Sequence, residues 1–408
     1  MKKLSMLLCM LLLLGFMTGF GAETPARAEA PDPAETEEPE IFFFGDYAYV
    51  IREDGTAKIL YYTGSGKTED LAIPAVLQDL DVTAIGNRAF QSVYGLHSVS
   101  IPDSVTDVGN NPFAGCRELE SIAVSPENPG LAVMDGVLFR KADKCLICYP
   151  AGLKAESYEI PQGIAAIGDE AFSACFSLHS VSIPDSVTVV GKNPFVDCLR
   201  LETIALSDEN PALAVTDGVL FDMEDMRLIC YPAGLFASSY EIPQGVAAVG
   251  DGAFSNCFGL VSVSIPESVA SIGNQAFFSC GDLREVKLSE GLTEIGVQAF
   301  SFCGSLNSIT LPESVTAIGI RAFEQCGKLS GIHIPEGVVS IGERAFKGCG
   351  VLSGVELPAS ITAMGEAVFE DCGNLKNVVT ARDSYAAEYC RENGLPYTYP
   401  DANSWLNG

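Results

Sequence analysis

The chain is poor in the residues that most enzymes and nucleic-acid binders need. It holds three histidines, His97, His179 and His333, in 408 residues. No Ser/His/Asp or paired-carboxylate arrangement stands outside the repeat described below, so no active site is expected. Positive charge is also scarce. Lys and Arg number 24 against 53 Asp and Glu, for a net charge of −29. Such a surface repels phosphate backbones and excludes nucleic acid as a partner. Long apolar runs are confined to the start. Met6 to Phe20 is too short for a confident membrane span. Lys2 and Lys3 precede it, and the small-residue sites Ala26-Arg27-Ala28 and Ala28-Glu29-Ala30 follow, so residues 1–30 read as a secretory signal peptide. Its removal takes away Lys2, Lys3 and Arg27 against Glu23 and Glu29, which makes the mature chain more acidic by one charge. No second apolar stretch follows, and none of the final residues, Asn403 to Gly408, forms a cell-wall sorting motif. A soluble, secreted or surface-held chain with no membrane insertion is expected.

What the sequence does have is a repeat. The segment Leu306-Asn-Ser-Ile309-Thr-Leu311-Pro312-Glu-Ser-Val315-Thr-Ala-Ile318-Gly319-Ile-Arg-Ala322-Phe323-Glu-Gln-Cys326 begins again at Leu329, 23 residues on. The phenylalanine column reads Phe90, Phe113, Phe172, Phe195, Phe254, Phe277, Phe300, Phe323, Phe346 and Phe369. A glycine lies four residues before each, from Gly86 to Gly365. Ten copies in register define a solenoid. Within one copy, Ile309 and Leu311 alternate as in a short strand. Pro312 ends it, Val315 and Ile318 return to the core, and Gly319 marks a turn. Ala322 and Phe323 anchor a short helical or 3₁₀ turn. One coil cannot bury its own apolar face, but coils stacked at the inter-strand spacing of about 4.8 Å can. Each buried Phe then contributes about 1.5–3 kcal/mol.

A longer repeat overlies the short one. Residues 101–182 resemble residues 183–264 at an offset of 82. Each block holds one enlarged coil with a hairpin-like element, Asp135-Gly-Val-Leu-Phe139 or Asp217-Gly-Val-Leu-Phe221, ending in Cys148-Tyr-Pro or Cys230-Tyr-Pro. These read as protruding hairpins. The expected organisation is a signal peptide (1–30), an acidic leader (31–45), an N-terminal hairpin cap (46–72) and a solenoid (73–380). The solenoid contains the duplication 101–182/183–264 and regular 23-residue repeats over 265–380. A C-terminal helix and strand cap with a tail follows (381–408). Ser384 is placed to cap that helix and Gly394 to stop it.

The motif I-P-x-x-V-x-x-I-G-x-x-A-F-x-x-C, as in Ile265 to Cys280, resembles the BspA-like leucine-rich-repeat surface proteins of bacteria. The resemblance covers roughly residues 47–399. It implies an α/β repeat fold, a right-handed leucine-rich-repeat solenoid with a parallel sheet of short strands on one side. It also implies an exported protein, with protein or cell-surface adhesion as the expected role. A structural or assembly component of the cell envelope is the alternative.

Several smaller motifs invite chemistry, and the repeat absorbs most of them. Nine cysteines, Cys116, Cys175, Cys198, Cys257, Cys280, Cys303, Cys326, Cys349 and Cys372, share one column in which the first coil has Val93. A site that accepts Val uses Cys as a small hydrophobe, so a buried reduced ladder is expected. Cys145-Leu-Ile-Cys148 has redox or metal spacing, but its duplicate carries Arg227 and Cys230. Thr63-Gly-Ser-Gly-Lys-Thr68 is part of a phosphate-loop pattern without its first glycine or a following helix, and reads as a turn. No cofactor is expected. Asp103, Asp185, Glu267, Glu290, Glu313 and Glu336 form an acidic column whose last four members belong to consecutive coils, an arrangement to which a divalent cation would be suited. The residues flanking the central strand position form the open face of the sheet. It is small and hydroxylated toward the N-terminus, more charged toward the C-terminus, and lacks aromatic anchors. Glu285, Lys287, His333 and Glu356 are the candidate binding residues, with the two hairpins as rivals.

Overall fold

The computed structural model describes residues 40–64 and 68–400. The signal peptide, residues 31–39 of the leader, residues 65–67 of the phosphate-loop-like segment and the tail from 401 lie outside the described residues.

Each regular coil contributes two strands. The coil quoted above supplies Ser308–Thr310 and then Ala317–Ile318. Both pair in parallel with the next coil at an offset of 23, Ile309 with Ile332 and Ala317 with Ser340. The parallel sheet expected on one side is therefore joined by a second ladder, built from the V-x-x-I part of the repeat. In the C-terminal half these ladders run through eight strands, from Ser239–Glu241 to Tyr397–Thr398, and nine strands, from Leu213–Thr216 to Ala363–Met364. Side chains on the inner faces of both, such as Ile309, Leu311, Val315 and Ile318, are buried. Helix is almost absent. The one among the described residues, Tyr385–Glu392, is capped by Ser384, whose side chain accepts from the Ala387 amide.

The third side of the coil holds the phenylalanines. From Phe254 to Phe369 their rings stack with centroids 4.7, 5.0, 5.3, 5.4 and 5.6 Å apart and planes within 10°. Backbone bonds run alongside, with the Phe300 amide donating to Ala322 of the next coil at 2.8 Å. The Ala-Phe segment is a succession of turns rather than a helical or 3₁₀ turn. Residues two and six places after the glycine are left-handed, as at Gln298 (φ 54°) and Phe302 (φ 60°), and left-handed residues interrupt a right-handed helix. Three tyrosines extend the stack in coils that lack the phenylalanine. Tyr62, Tyr149 and Tyr231 lie against Phe90, Phe172 and Phe254 at 5.8, 5.3 and 5.2 Å.

The glycine column has a different cause from the turn expected of it. A Cβ on Gly319 would stand 2.5 Å from the backbone carbon of Gly296 in the preceding coil, and one on Gly296 would stand 2.6 Å from that of Gly273. Neither needs a left-handed φ. Glycine is required here because the backbones of stacked coils touch.

The hairpins do not protrude. Leu131–Met134 turns through Asp135-Gly136, both at positive φ, and pairs antiparallel with Val137–Arg140. That strand pairs antiparallel with Cys145–Cys148, which rejoins the parallel ladder at Ala166–Ile167. The inserted strands are apolar on both faces, the pattern of a strand covered on both sides. Leu138, Ile147 and Cys148 pack into the preceding core, while Val137, Phe139, Leu146 and Tyr149 pack into the following one. The second copy repeats this, with Leu220, Ile229 and Cys230 facing back and Val219, Phe221, Leu228 and Tyr231 facing forward. Each insert is a two-faced wall, and together they divide the core into three.

The walls also interrupt the central sheet. It ends at Ser121–Val124, restarts at Ser157–Glu159, ends again at Thr203–Leu206 and restarts at Ser239–Glu241. Long-range contacts bridge the breaks on the turn side. The Asn110 side-chain Nδ2 donates to Asp169 Oδ2 at 2.6 Å, and 82 residues on the pair becomes Lys192 and Asp251 at 3.3 Å.

Two substitutions test this account. Gly319→Ala, which forces two backbones apart, is expected to cost about 1–3 kcal/mol. Phe300→Ala, which opens a gap in the ring stack, is expected to cost about 3–5 kcal/mol. Urea unfolding followed by circular dichroism measures both. A Gly319→Ala protein as stable as the parent would show that the coils are looser than described.

Candidate functional site

The open face of the long sheet is set by strand alternation. In Glu285–Lys287 the central Val286 is buried, so Glu285 and Lys287 must point outward, and both are exposed. Register then fixes their neighbours. Ser264 pairs with Lys287, Thr310 with His333, and His333 with Glu356. Lys287, His333 and Glu356 therefore lie in one column, with His333 and Glu356 on adjacent coils and Lys287 two coils earlier. Glu285 stands in the parallel column between Ser262 and Ser308. The structure thus gathers all four candidates on one face, on strands between Glu285 and Glu356. Lys287 makes no ion pair among the described residues. His333 Nε2 lies 3.9 Å from Glu313 Oε1, which links the face to the acidic column.

The acidic column is a row rather than a cage. Glu267, Glu290, Glu313 and Glu336 are exposed at the corner after the strand. Among the described residues no three His, Cys, Asp or Glu side chains gather as a metal ion would need. The crowding is relieved by backbone instead, since Glu290 Oε1 accepts from the Glu313 amide at 3.3 Å. The next column does more. The hydroxyls of Ser268, Ser314 and Ser360 each donate to a carbonyl of the preceding coil at 2.7–2.8 Å. Ser268 and Ser314 also accept glycine amides at 3.1 Å.

The cysteine column is buried and reduced, and its thiols have a task beyond filling space. Cys303, Cys326, Cys349 and Cys372 point their sulfurs at the carbonyls of Phe277, Phe300, Phe323 and Phe346, at 3.1, 3.1, 3.2 and 3.1 Å. The same carbonyl already accepts an amide of its own coil, as Phe300 does from Cys303 at 3.2 Å. The weak S–H donor thus occupies the second lone pair of a buried acceptor. In the enlarged coils the column position is Gly152 or Gly234, because a Cβ there would lie 2.6–2.8 Å from the backbone of Glu118 or Leu201. Cys145 and Cys148 lie on one extended strand, so their Cα atoms are about 10 Å apart and no disulfide can join them. Burial pushes the Cys116 and Cys326 thiols from 9.0 to about 12, and those of Cys145, Cys372 and Cys390 to about 11. Thiolate is the reactive form, so these sites are inert at neutral pH.

Sequence reasoning missed the edge strands that the walls create in the central sheet. The signal was present in the spacing, since strands that recur every 23 residues elsewhere are 36 apart from Ser121 to Ser157 and from Thr203 to Ser239.

A stack of short parallel strands with this repeat defines a leucine-rich-repeat solenoid. The sequence matches the BspA type leucine rich repeat region over residues 63–139, 148–215, 233–335 and 293–390, well over half its length. The chain belongs to this family. Comparison with curated proteins gives no match. Among solved structures it is similar to a leucine-rich cell surface protein of Faecalibacterium prausnitzii A2-165, at 26% identity over 88% of this chain and 98% of the other, with a TM-score of 0.46. It is similar to a leucine-rich repeat protein of Eubacterium ventriosum at 21% identity over 81% and 94%, TM-score 0.49. The pneumococcal vaccine antigen PcpA shares the fold at 16% identity over 88% and 98%, TM-score 0.50. No helix among the described residues is long and apolar enough to cross a membrane.

Thiol chemistry supplies the check on the column. Native protein at neutral pH is expected to leave the thirteen described cysteines unreacted with a thiol reagent, and denaturant to release them all as free thiols. Disulfides recovered in denaturant would contradict the ladder. Because folding raises these thiol pKa values, their stabilisation is complete below about pH 9 and is lost as pH rises toward the folded values near 11–12. Urea midpoints should therefore be level up to about pH 8.5 and fall above it. The decline should approach about 1.4 kcal/mol per pH unit for each thiol ionised only in the unfolded chain.

Proposed function

We propose that the protein is an exported, non-enzymatic surface module that binds a protein or cell-surface ligand along the open face of its long sheet. The observation that carries this reading is where the face stops repeating. Its inner columns stay apolar from coil to coil, while the outer columns change from Ser262, Ser264, Ser308 and Thr310 to Glu285, Lys287, His333 and Glu356. Packing does not demand these four, since other coils accept Ser or Thr in the same columns, as at Ser262, Ser264, Ser308 and Thr310. Solenoids commonly use such an extended surface for recognition. The signal-like start of the sequence supports export.

The test is binding of the mature chain to immobilised extracellular-matrix proteins and to whole cells. The comparison is a variant in which the four residues take hydroxyl side chains found elsewhere in their columns: Glu285→Ser, Lys287→Ser, His333→Thr and Glu356→Ser. Saturable binding by the parent and a loss of tenfold or more in the variant, at unchanged melting temperature, is the expected result. Equal binding by both proteins would remove the face from consideration. Self-assembly on sizing without ligand binding would point to an envelope-building role instead.

A further inference from the structure

The walls leave the central sheet with edges in the middle of the molecule, and the second break has the chemistry of a docking site. Thr203–Leu206 is hydrogen-bonded on one side only, to Ser180–Ile183. The amides of Thr203 and Ser207 donate to His179 and Ile183 at 3.1 and 3.0 Å. In a strand alternate residues direct their amides and carbonyls to opposite sides. Ile204 and Leu206 therefore present theirs to the break. On the far bank, Ile242 donates to Ser264 at 3.0 Å and Ser262 to Ser238 at 3.1 Å, so by the same alternation Ser239 and Glu241 face the break with their amides. Both banks thus offer backbone donors and acceptors with no strand to receive them, the arrangement that recruits an added strand.

One further observation separates this break from the first one, 82 residues earlier. There Lys154 and Glu120 reach across at 4.0 Å. The equivalent residues at the second break are Phe236 and Glu202, so this tie is gone. An open groove of about 410 Å³ runs along the ends of the three-stranded sheet, from Glu159 at the first break to Leu206 and Ser207 at the second, and gives the Thr203–Leu206 edge an apolar neighbour in Ile183 and Pro184. Charge then selects the occupant. Glu202, Asp208 and Glu209 on one bank and Glu241 on the other are exposed, against Arg200 alone.

We infer that the second break in the central sheet is a β-augmentation site, where the Thr203–Leu206 edge pairs with an extended, basic peptide segment of a partner protein. Backbone bonds to the edge supply affinity, the groove takes apolar side chains, and the flanking carboxylates select Lys or Arg at alternate positions. This site is independent of the open-face reading, since it borders the first strand of the long sheet, Ser239–Glu241, two coils before Glu285, and uses none of the four residues.

A dye-labelled eight-residue peptide alternating Lys and Val tests the inference by fluorescence anisotropy against the mature chain. The expected result is saturable binding that weakens at least tenfold in three comparisons: Glu in place of Lys, N-methylation of the valines, and the Leu206→Pro protein. N-methylation removes backbone donors while leaving charge unchanged. Leu206→Pro removes an amide that faces the break and spares the existing ladder, as proline at an outward edge position does. Ser239→Pro on the opposite bank gives the same reading should Leu206→Pro fail to fold. The four-residue open-face variant is expected to bind the peptide as the parent does. No binding of the Lys-Val peptide, or equal affinity for its N-methylated form, overturns the proposal. So does unchanged affinity in a folded Leu206→Pro or Ser239→Pro protein.

Discussion

The translation of about 4.8 Å from one coil to the next is the constraint from which the other features follow. At that spacing a backbone amide meets a carbonyl, a Phe ring meets another ring, and a Cys sulfur meets the carbonyl of the preceding phenylalanine. The same spacing forbids a Cβ at the glycine column, where consecutive backbones are in contact. Each column is thus a vote on one distance. A residue that suits its own coil but not the coil beneath it has no place in the stack. This is why the repeat is strict inside the solenoid and lax on its surface.

The core was legible in the sequence because its requirements recur every 23 residues. Phe, Gly, Cys, and the Ile and Val positions could be assigned from spacing alone. Their reasons were less legible. Gly319 looked like a turn residue, and only the neighbouring coil shows that close approach is the cause. The cysteines looked like small hydrophobes, but their carbonyl partners lie 26 residues away, a relation that no single copy displays. Tyr149 and Tyr231 were hidden because the turn before each is two residues shorter than in the coils around it, which breaks the spacing of column glycine and phenylalanine.

The hairpins show where pattern reading ends. Asp135-Gly136 announced a tight turn correctly, but the expectation of a protruding element placed its side chains in solvent. Val-Leu-Phe followed by Cys-Leu-Ile-Cys-Tyr is apolar at every position, and such a run belongs between two covered surfaces. The candidate binding residues were visible for the opposite reason. Glu285, Lys287, His333 and Glu356 stand out against the Ser and Thr that fill the same columns at Ser262, Ser264, Ser308 and Thr310. The sheet edges left only an indirect trace, the 36-residue step from Ser121 to Ser157 and from Thr203 to Ser239, because an edge is a property of which strands fail to meet.

The walls have a consequence for how such a chain can change. A solenoid cut at an ordinary coil exposes the apolar face that its next coil covered. A block that begins and ends at a wall carries its own lid, since one face of the wall closes the core behind it and the other opens the core ahead. The 82-residue unit is therefore a piece of protein that can be copied or lost whole without leaving a raw surface. The two walls match residue for residue across Val137 to Phe139 and Val219 to Phe221, as copying of such a unit would leave them. What divides the core has also served as the hinge of its growth.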